Sequence, residues 1–383
     1  MKAGWRVKSL GDVCAFDKVQ GIHSGLPYVG LEDIESNTAR FLGSSEQQPV
    51  KSSTFKFSSQ HVLYGRLRPY LNKVLAPDFE GHCSTEIFPL KPSPELSREY
   101  LLYWLLSDET CNRINATCTG ARMPRAQMNE VLGFEFPLPS LPEQHRIVAI
   151  LDEAFDGIAT ARANAEKNLQ NARALFESHL QKVFTQRGEE WIEKRLGDVF
   201  TTATGTTPPK SNADFYGDFI PLVKPPELCN ELIDSASDGL SEDGAAVARL
   251  LPQKSILVSC IGNLGKVGLN TVPVAFNQQI NAILPDESHA IPEFMFFQTL
   301  APVFKEQLES LASGTTVPIV NKSKFNSVGV VLPPLPIQRS VAAQFSLLRE
   351  ETQRLESLYQ RKLAALDELK QSLLHQALIG HLL

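Results

Sequence analysis

The sequence predicts a mixed α/β protein made of two similar halves, each a globular segment followed by a long helix, with the two helices paired as an antiparallel coiled coil. One observation behind this prediction is an internal repeat, because motifs of the first half recur at an offset of 194 residues. The other is a pair of long segments in which apolar residues follow heptad spacing. Two similar halves can present two similar binding surfaces related by a pseudo-twofold axis.

The repeat joins units that are too long for a solenoid protein, whose repeats are usually 20–50 residues. From Thr119 to Ser178 the offset stays at 194, so more than fifty residues match without a gap. Small insertions further upstream make the offset 186 at the start of each half. The matching pairs include Trp5 with Trp191, Thr119–Pro124 with Ser313–Pro318, Gln144 with Gln338, and Ser178 with Ser372. We therefore interpret the chain as a duplication of one large unit.

The segment from Glu143 to Phe184 contains no proline and a single glycine, Gly157. Its apolar residues recur in steps of three and four, which is typical of a coiled-coil helix. The predicted contact positions are Ile147, Leu151, Ala154, Ile158, Ala161, Ala165, Leu169, Ala172, Phe176, Leu180 and Val183 in the first copy, and Val341, Phe345, Leu348, Thr352, Leu355, Tyr359, Leu363, Leu366, Leu369, Leu373 and Ala377 in the second.

A single helix with such a stripe would expose it to water, so we expect the two helices to pack on each other. The globular unit between them must return the chain, which favours antiparallel pairing. The alternative is two separate surface helices, each covering its own domain. Outside the main stripe, apolar residues such as Val148, Phe155 and Leu175 predict a second apolar face that docks partner proteins.

Four segments follow from this pattern of proline-rich hinges and long helices. They are a first globular domain over residues 1–136, a hinge and helix over 137–184, a second globular domain over 185–331, and a hinge and helix over 332–383.

Composition indicates an ordinary soluble protein in the cytoplasm, since 43% of its 383 residues are hydrophobic and 21% are charged. We identify no signal peptide and no apolar run long enough to span a membrane.

The net charge of −6 is unevenly distributed: residues 1–136 carry 15 basic and 15 acidic residues, whereas residues 185–331 carry 11 basic and 17 acidic residues. Any contact with nucleic acid must therefore use a local basic patch or involve a partner protein.

Catalytic and metal-binding motifs are missing from the sequence. We find no G-x-S-x-G, H-E-x-x-H, P-loop or G-x-G-x-x-G motif. The six cysteines form no C-x-x-C pair and have no histidine at zinc-ligand spacing, so we predict no metal site. The chain is therefore expected to do no chemistry itself.

Local clusters of Arg, Lys, Asn and Gln are the candidate DNA contacts, because Arg, Asn and Gln can form paired hydrogen bonds with guanine and adenine edges and Lys mostly binds phosphate. The alternative for each is a solvated surface residue or a turn cap. The candidates are Tyr64, Arg66, Arg68, Lys73, Arg122 and Arg125 in the first half, and Lys210, Lys224, Asn263, Lys266, Asn277, Gln278, Gln279, Lys322 and Lys324 in the second.

The motifs of both halves occur in one order. Each half opens with Trp-x-x-x-x-Leu-Gly-Asp-Val and later carries a glycine loop, a proline-rich segment and a glutamine before the long helix. These are TGARMP (119–124) with FPLPSLPEQ (136–144), and SGTTVP (313–318) with VVLPPLPIQ (330–338). Over essentially the whole chain they resemble the specificity subunit of type I restriction–modification enzymes. Ile337 stands where that family usually has an acidic residue.

The resemblance implies a function. In such subunits each globular unit is a target-recognition domain that reads one half of a bipartite, asymmetric DNA sequence, and the paired helices set the distance between the halves. Two methylation subunits, which bind S-adenosylmethionine and modify adenine N6, dock on the specificity subunit, and restriction subunits can join. S-adenosylmethionine, Mg and ATP then belong to the partner subunits, and this chain binds no cofactor.

Two other functions remain open at this point. The chain could be a scaffolding protein whose two α/β units bind other proteins, or an enzyme with an unrecognised site. A mobility shift with random DNA duplexes, with and without a methylation partner, would separate DNA recognition from scaffolding.

Overall fold

The computed structural model describes residues 4–382 except 24, 48–49, 121, 187, 189, 285 and 315. Ala121 and Thr315 of the repeated glycine loops therefore lie outside the described residues. The chain divides into two compact units: unit 1 consists of Met1–Glu166 and Arg361–Leu383, and unit 2 of Lys167–Gln360. Each unit contains one globular segment and part of both long helices.

Unit 1 begins with short strands and ends in helices. Its strands are β1 (Arg6–Ser9), β2 (Cys14–Phe16), β3 (Gln20–Gly21), β4 (Tyr28–Val29), β5 (Thr54–Phe57), β6 (Val62–Gly65), β7 (Val74–Leu75), β8 (Gly81–Cys83), β9 (Ile87–Pro92) and β10 (Glu135–Leu138). Its helices are α1 (Leu10–Val13), α2 (Arg98–Leu106), α3 (Asp108–Ala116), α4 (Met128–Leu132) and the first part of α5 (Leu141–Thr185), with a 3-10 turn at Pro69–Leu71.

Two four-stranded sheets form the body of unit 1, in the orders β2-β9-β6-β7 and β3-β5-β8-β4, and β1 pairs with β10. The pair β4 and β8 is parallel, whereas the other pairs of these sheets are antiparallel. Ser97 and Ser107 start α2 and α3 by accepting hydrogen bonds from the backbone amides of Tyr100 and Thr110. Trp104 of α2 then packs on Phe136 with ring centroids 5.1 Å apart.

Unit 2 repeats the order of elements of unit 1, with the strands Glu231–Ile233 and Gly239–Leu240 and the helix Glu242–Val247 as additions. Its strands are β11 (Ile192–Arg195), β12 (Thr202–Thr204), β13 (Tyr216–Val223), β14 (Glu231–Ile233), β15 (Gly239–Leu240), β16 (Leu250–Leu251), β17 (Ile256–Ser259), β18 (Val267–Asn270), β19 (Val274–Phe276), β20 (Ile280–Ile283) and β21 (Gly329–Leu332). Its helices are α6 (Leu196–Val199), α7 (Glu242–Val247), α8 (Pro292–Leu300), α9 (Pro302–Leu311), α10 (Lys322–Asn326) and the first part of α11 (Leu335–Ile379), with 3-10 turns at Ala213–Phe215 and Pro225–Glu227.

The sheets of unit 2 repeat those of unit 1. They have the orders β12-β20-β17-β18-β14 and β15-β13-β19-β16, and β11 pairs with β21. The single parallel pair of the second sheet recurs as β13 with β19, in the place of β4 with β8. The predicted mixed α/β repeat is therefore confirmed, with β14 and β15 as additions in unit 2 and β3 as one in unit 1.

The two long helices confirm the predicted coiled-coil segments. In both units the beginning of one helix packs with the end of the other, so they are antiparallel. The shared core residues are Ile147 and Leu151 with Leu374 and Ala377 in unit 1, and Leu180 and Phe184 with Ala342 and Phe345 in unit 2. Of the predicted contact positions, Leu369 is the exception, because it is 47% exposed.

The prediction of a second, outward-facing apolar surface on the first helix is wrong in part. Val148 is buried in the core of unit 1, and Phe155 packs edge-on against Tyr103 with ring centroids 5.4 Å apart. Leu175 is 62% exposed. The first two residues look like outward positions in a two-helix pattern, but α5 also packs on the globular part of its unit.

Candidate nucleic-acid interface

Three segments of unit 1 meet at one surface, which we call the first loop cluster. Its segments are residues 66–72 after β6, 84–86 between β8 and β9, and the described residues of 119–126, which exclude 121, before α4. The backbone amide of Arg66 donates to the carbonyl of Glu86 over 2.9 Å, and the amide of Ala126 donates to the carbonyl of Arg66 over 2.9 Å. One backbone frame thus carries side chains from three distant parts of the sequence.

Unit 2 has a second loop cluster with the same frame. Its segments are residues 260–266 after β17, 277–279 between β19 and β20, and the described residues of 313–320, which exclude 315, before α10. The amide of Cys260 donates to the carbonyl of Gln279 over 2.8 Å, and the amide of Val320 donates to the carbonyl of Cys260 over 2.8 Å. Cys260 therefore occupies the position that Arg66 has in unit 1.

The repeated glycines explain why both loops turn in the same way. Gly120 has a φ of 92° and Gly314 a φ of 102°, in the left-handed region that favours glycine. A Cβ at Gly314 would also lie 2.4 Å from the carbonyl oxygen of Val317. The glycine loop that the sequence repeats is therefore a backbone requirement of this surface.

Glu86 connects two of the predicted arginines in the first loop cluster. Its carboxylate accepts from Arg66 Nε over 3.0 Å and from Arg125 through Nε and Nη2, each over 3.0 Å to Oε1. Burial raises the pKa of Glu86, but the hydrogen bonds from Arg125 and Arg66 outweigh that effect, so the pKa lies below its ordinary value. Glu86 was not among the predicted contacts, although it belongs to the turn that aligns with residues 277–279.

Arg68 and Arg122 of the first loop cluster are exposed, and neither forms an ion pair within the described part of the chain. Arg68 has a φ of 52°, a rare backbone conformation for a residue with a side chain. The exposed aromatic residue of the cluster is Tyr70, at 53%. Such side chains are free to contact a ligand.

Two predicted contacts of the first half are not at this surface. Tyr64 is 0% exposed in the core strand β6, and burial raises its pKa. Lys73 is half-buried and its ammonium donates to the carbonyls of Leu31 and Ile34, over 2.7 and 2.9 Å. We therefore remove Tyr64 from the candidate DNA contacts, and we interpret Lys73 as a brace for the segment that contains Leu31 and Ile34.

The second loop cluster brings together Asn263, Lys266, Gln278 and Gln279. Asn263 and Gln278 are exposed, and Gln278 Oε1 accepts a hydrogen bond from the Thr207 hydroxyl over 2.9 Å. Lys266 is half-buried and forms no ion pair among the described residues. This surface is therefore mainly amide in character.

Asn277, a predicted contact of the same turn, is only 7% exposed. Its side chain bonds to the backbone and side chain of Gln279, each over 3.1 Å. It shapes the turn, so we also remove Asn277 from the candidate DNA contacts.

The remaining predicted lysines lie outside the two loop clusters. Lys210 is exposed between β12 and the 3-10 turn Ala213–Phe215. Lys224 is paired with Asp238, which offsets its charge. Lys322 and Lys324 lie on α10 directly after the glycine loop, and Lys322 is exposed.

The described residues contain no group of three or more His, Cys, Asp or Glu side chains that could hold a metal ion. Among the same residues, no helix is long and apolar enough to cross a membrane.

Comparison with known proteins identifies the family. The sequence model "Type I restriction modification DNA specificity domain" matches residues 2–169 and again residues 188–361. The chain belongs to this family. The two matches correspond to the two halves of the internal repeat, and they confirm the resemblance that the sequence motifs indicated.

Relatives of this family align with parts of the chain. The HindI specificity subunit of Haemophilus influenzae is 38% identical over 147 residues, which cover 37% of this chain and 32% of that protein. The EcoDI specificity subunit of Escherichia coli is 27% identical over 185 residues, covering 45% and 41%. The chain thus matches less than half the length of these two relatives. The MjaIX subunit of Methanocaldococcus jannaschii is 23% identical over 308 residues, covering 76% and 70%.

Solved structures of type I systems have the same fold. A chain from a structure concerned with complex assembly and conformational transition of the type I R-M system has a TM-score of 0.86 and 22% identity, over 100% of this chain and 99% of that one. The HsdS subunit of Thermoanaerobacter tengcongensis has a TM-score of 0.63 and 21% identity, over 100% and 98%.

Proposed function

We propose that this specificity-family chain recognises an asymmetric, bipartite DNA sequence, with one half read by each loop cluster. The observation that carries the proposal is the repeated backbone frame with different side chains on it. Two identical readers would select a symmetric target, whereas a charged first cluster and an amide-rich second cluster favour two different half-sites.

The proposed partners are two methylation subunits that modify adenine N6, together with restriction subunits, as the family resemblance implies. In this proposal S-adenosylmethionine, Mg and ATP are bound by those partners, and this chain is a non-catalytic component in the cytoplasm. The partners would also supply phosphate contacts, which agrees with the absence of excess positive charge in either recognition segment.

The helix pair is the proposed spacer between the half-sites. Each helix has 45 residues, and a helix of that size is about 67 Å long at 1.5 Å per residue. A stiff element of fixed length would hold two readers at a constant number of base pairs. The core residues shared by α5 and α11 in each unit support this role.

The test is selection from a random duplex pool by the full chain co-expressed with its methylation subunits. We expect enrichment of two short sequences separated by a fixed number of unread positions. Binding without any sequence enrichment would contradict the proposal. If the complex assembled and still selected no DNA, the scaffolding alternative would be favoured.

A further inference from the structure

The guanidinium of Arg66 is bound to the protein through Nε, whereas its terminal nitrogens, Nη1 and Nη2, are open to a ligand. Its Nε donates to Glu86 Oε2 over 3.0 Å, and its Cζ lies 5.2 Å from the centroid of the Phe88 ring. Within the described residues, Nη1 and Nη2 of Arg66 have no recorded hydrogen-bond partner. The side chain is about one-third exposed, so this free pair of nitrogens can reach a ligand.

Arg125 differs from Arg66 although both bind the same carboxylate. Glu86 engages Arg125 through Nε and Nη2, and Nη1 donates to the carbonyl of Met123 over 3.4 Å. All three guanidinium nitrogens of Arg125 are therefore directed to the protein. Arg125 fixes the carboxylate, and the carboxylate in turn fixes Arg66.

We infer that Arg66 reads a guanine in the half-site of unit 1, with Glu86, Arg125 and Phe88 as positioning residues. This inference rests on the proposed DNA recognition. Guanine presents two acceptors, N7 and O6, in the major groove, and the two terminal nitrogens of an arginine match them. A side chain whose orientation is already fixed loses less conformational entropy when it binds.

Unit 2 has the same backbone frame but lacks the cluster formed by Arg66, Glu86 and Arg125. The positions of Arg66, Glu86 and Arg125 are occupied there by Cys260, Gln279 and Ile319, as their matching backbone hydrogen bonds show. Cys260 is buried and Ile319 carries no charge. In this proposal the second half-site is therefore not read by an arginine from this position.

The test uses the full chain assembled with its methylation subunits, and probes every base at each position of the selected target. Arg66→Lys retains the charge and loses the paired nitrogens. We expect the preference for guanine at one position of the unit 1 half-site to fall by roughly 5- to 150-fold, the range of one paired base contact. Glu86→Gln should reduce the same preference by a smaller factor, and the other half-site should be unchanged in both variants.

Arg113→Lys is the matched control, because Arg113 is also stacked on a phenylalanine, with its Cζ 4.5 Å from the Phe134 ring centroid, but lies on α3 outside the loop cluster. It should leave every base preference intact. If Arg66→Lys weakened DNA binding by the same factor on all sequences and made the affinity less dependent on salt, Arg66 would be a phosphate contact, and the inference would be overturned. Unchanged guanine preference would also overturn it. If the unaltered assembly selected no sequence at all, the proposed function itself would have failed.

Discussion

Gln144 and Gln338 connect the start of each long helix to the globular segment before it. Both are buried. Gln144 accepts from the amide of Ser97 over 2.7 Å and donates to the carbonyls of Glu95 and Pro139 over 2.9 and 3.0 Å. The repeat made this glutamine pair visible in the sequence, but two of the three bonds of Gln144 involve Ser97 and Glu95, 47 and 49 positions upstream, which no local pattern predicts.

Gln338 makes the equivalent bonds, to the amide of Ile291 and the carbonyls of His289 and Pro333. Gln338→Leu would leave the amide of Ile291 and the carbonyl of Pro333, whose bonds to Gln338 are buried, without a partner, at about 1–3 kcal/mol each before local relaxation. We expect the free energy of unfolding of unit 2 to fall by about 3 kcal/mol, as measured by urea unfolding of the full chain followed by hydrogen exchange in α11. Gln344→Leu is the control, because Gln344 is exposed. Equal stability of the two variants would mean that Gln338 does not stabilise the connection between α11 and the globular segment before it.

Tyr64→Phe tests the removal of Tyr64 from the DNA contacts. The Tyr64 hydroxyl is buried with no hydrogen-bond partner recorded among the described residues. Loss of an unpaired buried polar group is close to neutral or stabilising, by about 1 kcal/mol. We expect unchanged DNA selection and an equal or higher melting temperature, whereas a loss of selection with intact folding would return Tyr64 to the interface.

Candidate residues could be predicted only in part from the sequence. Arg66, Arg68, Arg122 and Arg125 share one surface because the motifs that carry them are adjacent in the fold. Tyr64 was misplaced because β6 is buried along its whole length, so it lacks the alternation that distinguishes inward from outward positions. Glu86 was overlooked because an acidic residue among candidate DNA contacts makes sense only once its arginine partners are known.

Among the elements, the long helices were the most predictable. The first was expected from Glu143 to Phe184 and extends over Leu141–Thr185, since a sustained heptad pattern is unmistakable and a proline-rich segment precedes it. The departure at Ile337 does not prevent α11 from starting at Leu335. Strands of two to four residues carry too little pattern to be assigned individually, and the sheet orders depend on pairings between distant segments.

Inserting four residues near Asn164–Asn168 of α5 tests the proposed spacer role. The insertion adds roughly 6 Å to the helix, about two base pairs at about 3.4 Å each, and rotates the contact stripe by only about 40°. We expect the half-sites to remain and the spacer to lengthen by one or two base pairs, as read by mapping of methylated adenine. An unchanged spacer with full activity would mean that the helices do not set the distance.

A two-residue insertion at the same place is the matched control for the helix pairing. It rotates the stripe by about 200°, so the apolar residues of α5 would face away from α11. We expect it to prevent assembly with the methylation subunits, observed by size-exclusion chromatography of the co-expressed complex. Normal assembly of this variant would mean that the stripe does not determine pairing.

For the whole molecule, duplication was the feature that the sequence predicted best, because it is visible as matched motifs and reappears as matched sheets. The division into residues 1–136, 137–184, 185–331 and 332–383 remains a prediction about independent modules. Each compact unit of the structure contains one globular segment and parts of both helices, since an amphipathic helix is stabilised by whatever it packs on, irrespective of its place in the chain.

Exchange of residues 1–136 for the equivalent region of another specificity subunit tests independence of the two readers. Each unit has its own buried core, and distant sites without shared partners contribute nearly additively. We expect one half-site to change while the other and the spacer persist, as measured by duplex selection. A folded, methylation-competent chimera that lost both specificities would show that readout is shared between the units.

The central claim is that this chain reads two different half-sites at a fixed distance. Genome-wide mapping of N6-methyladenine in a host that expresses the chain with its methylation subunits tests it most directly, with a host expressing the methylation subunits alone as the control. The account predicts one asymmetric motif of two short segments separated by a constant number of unread positions, with guanine in the segment assigned to unit 1. A contiguous or symmetric motif, or the same methylation with and without this chain, would contradict it.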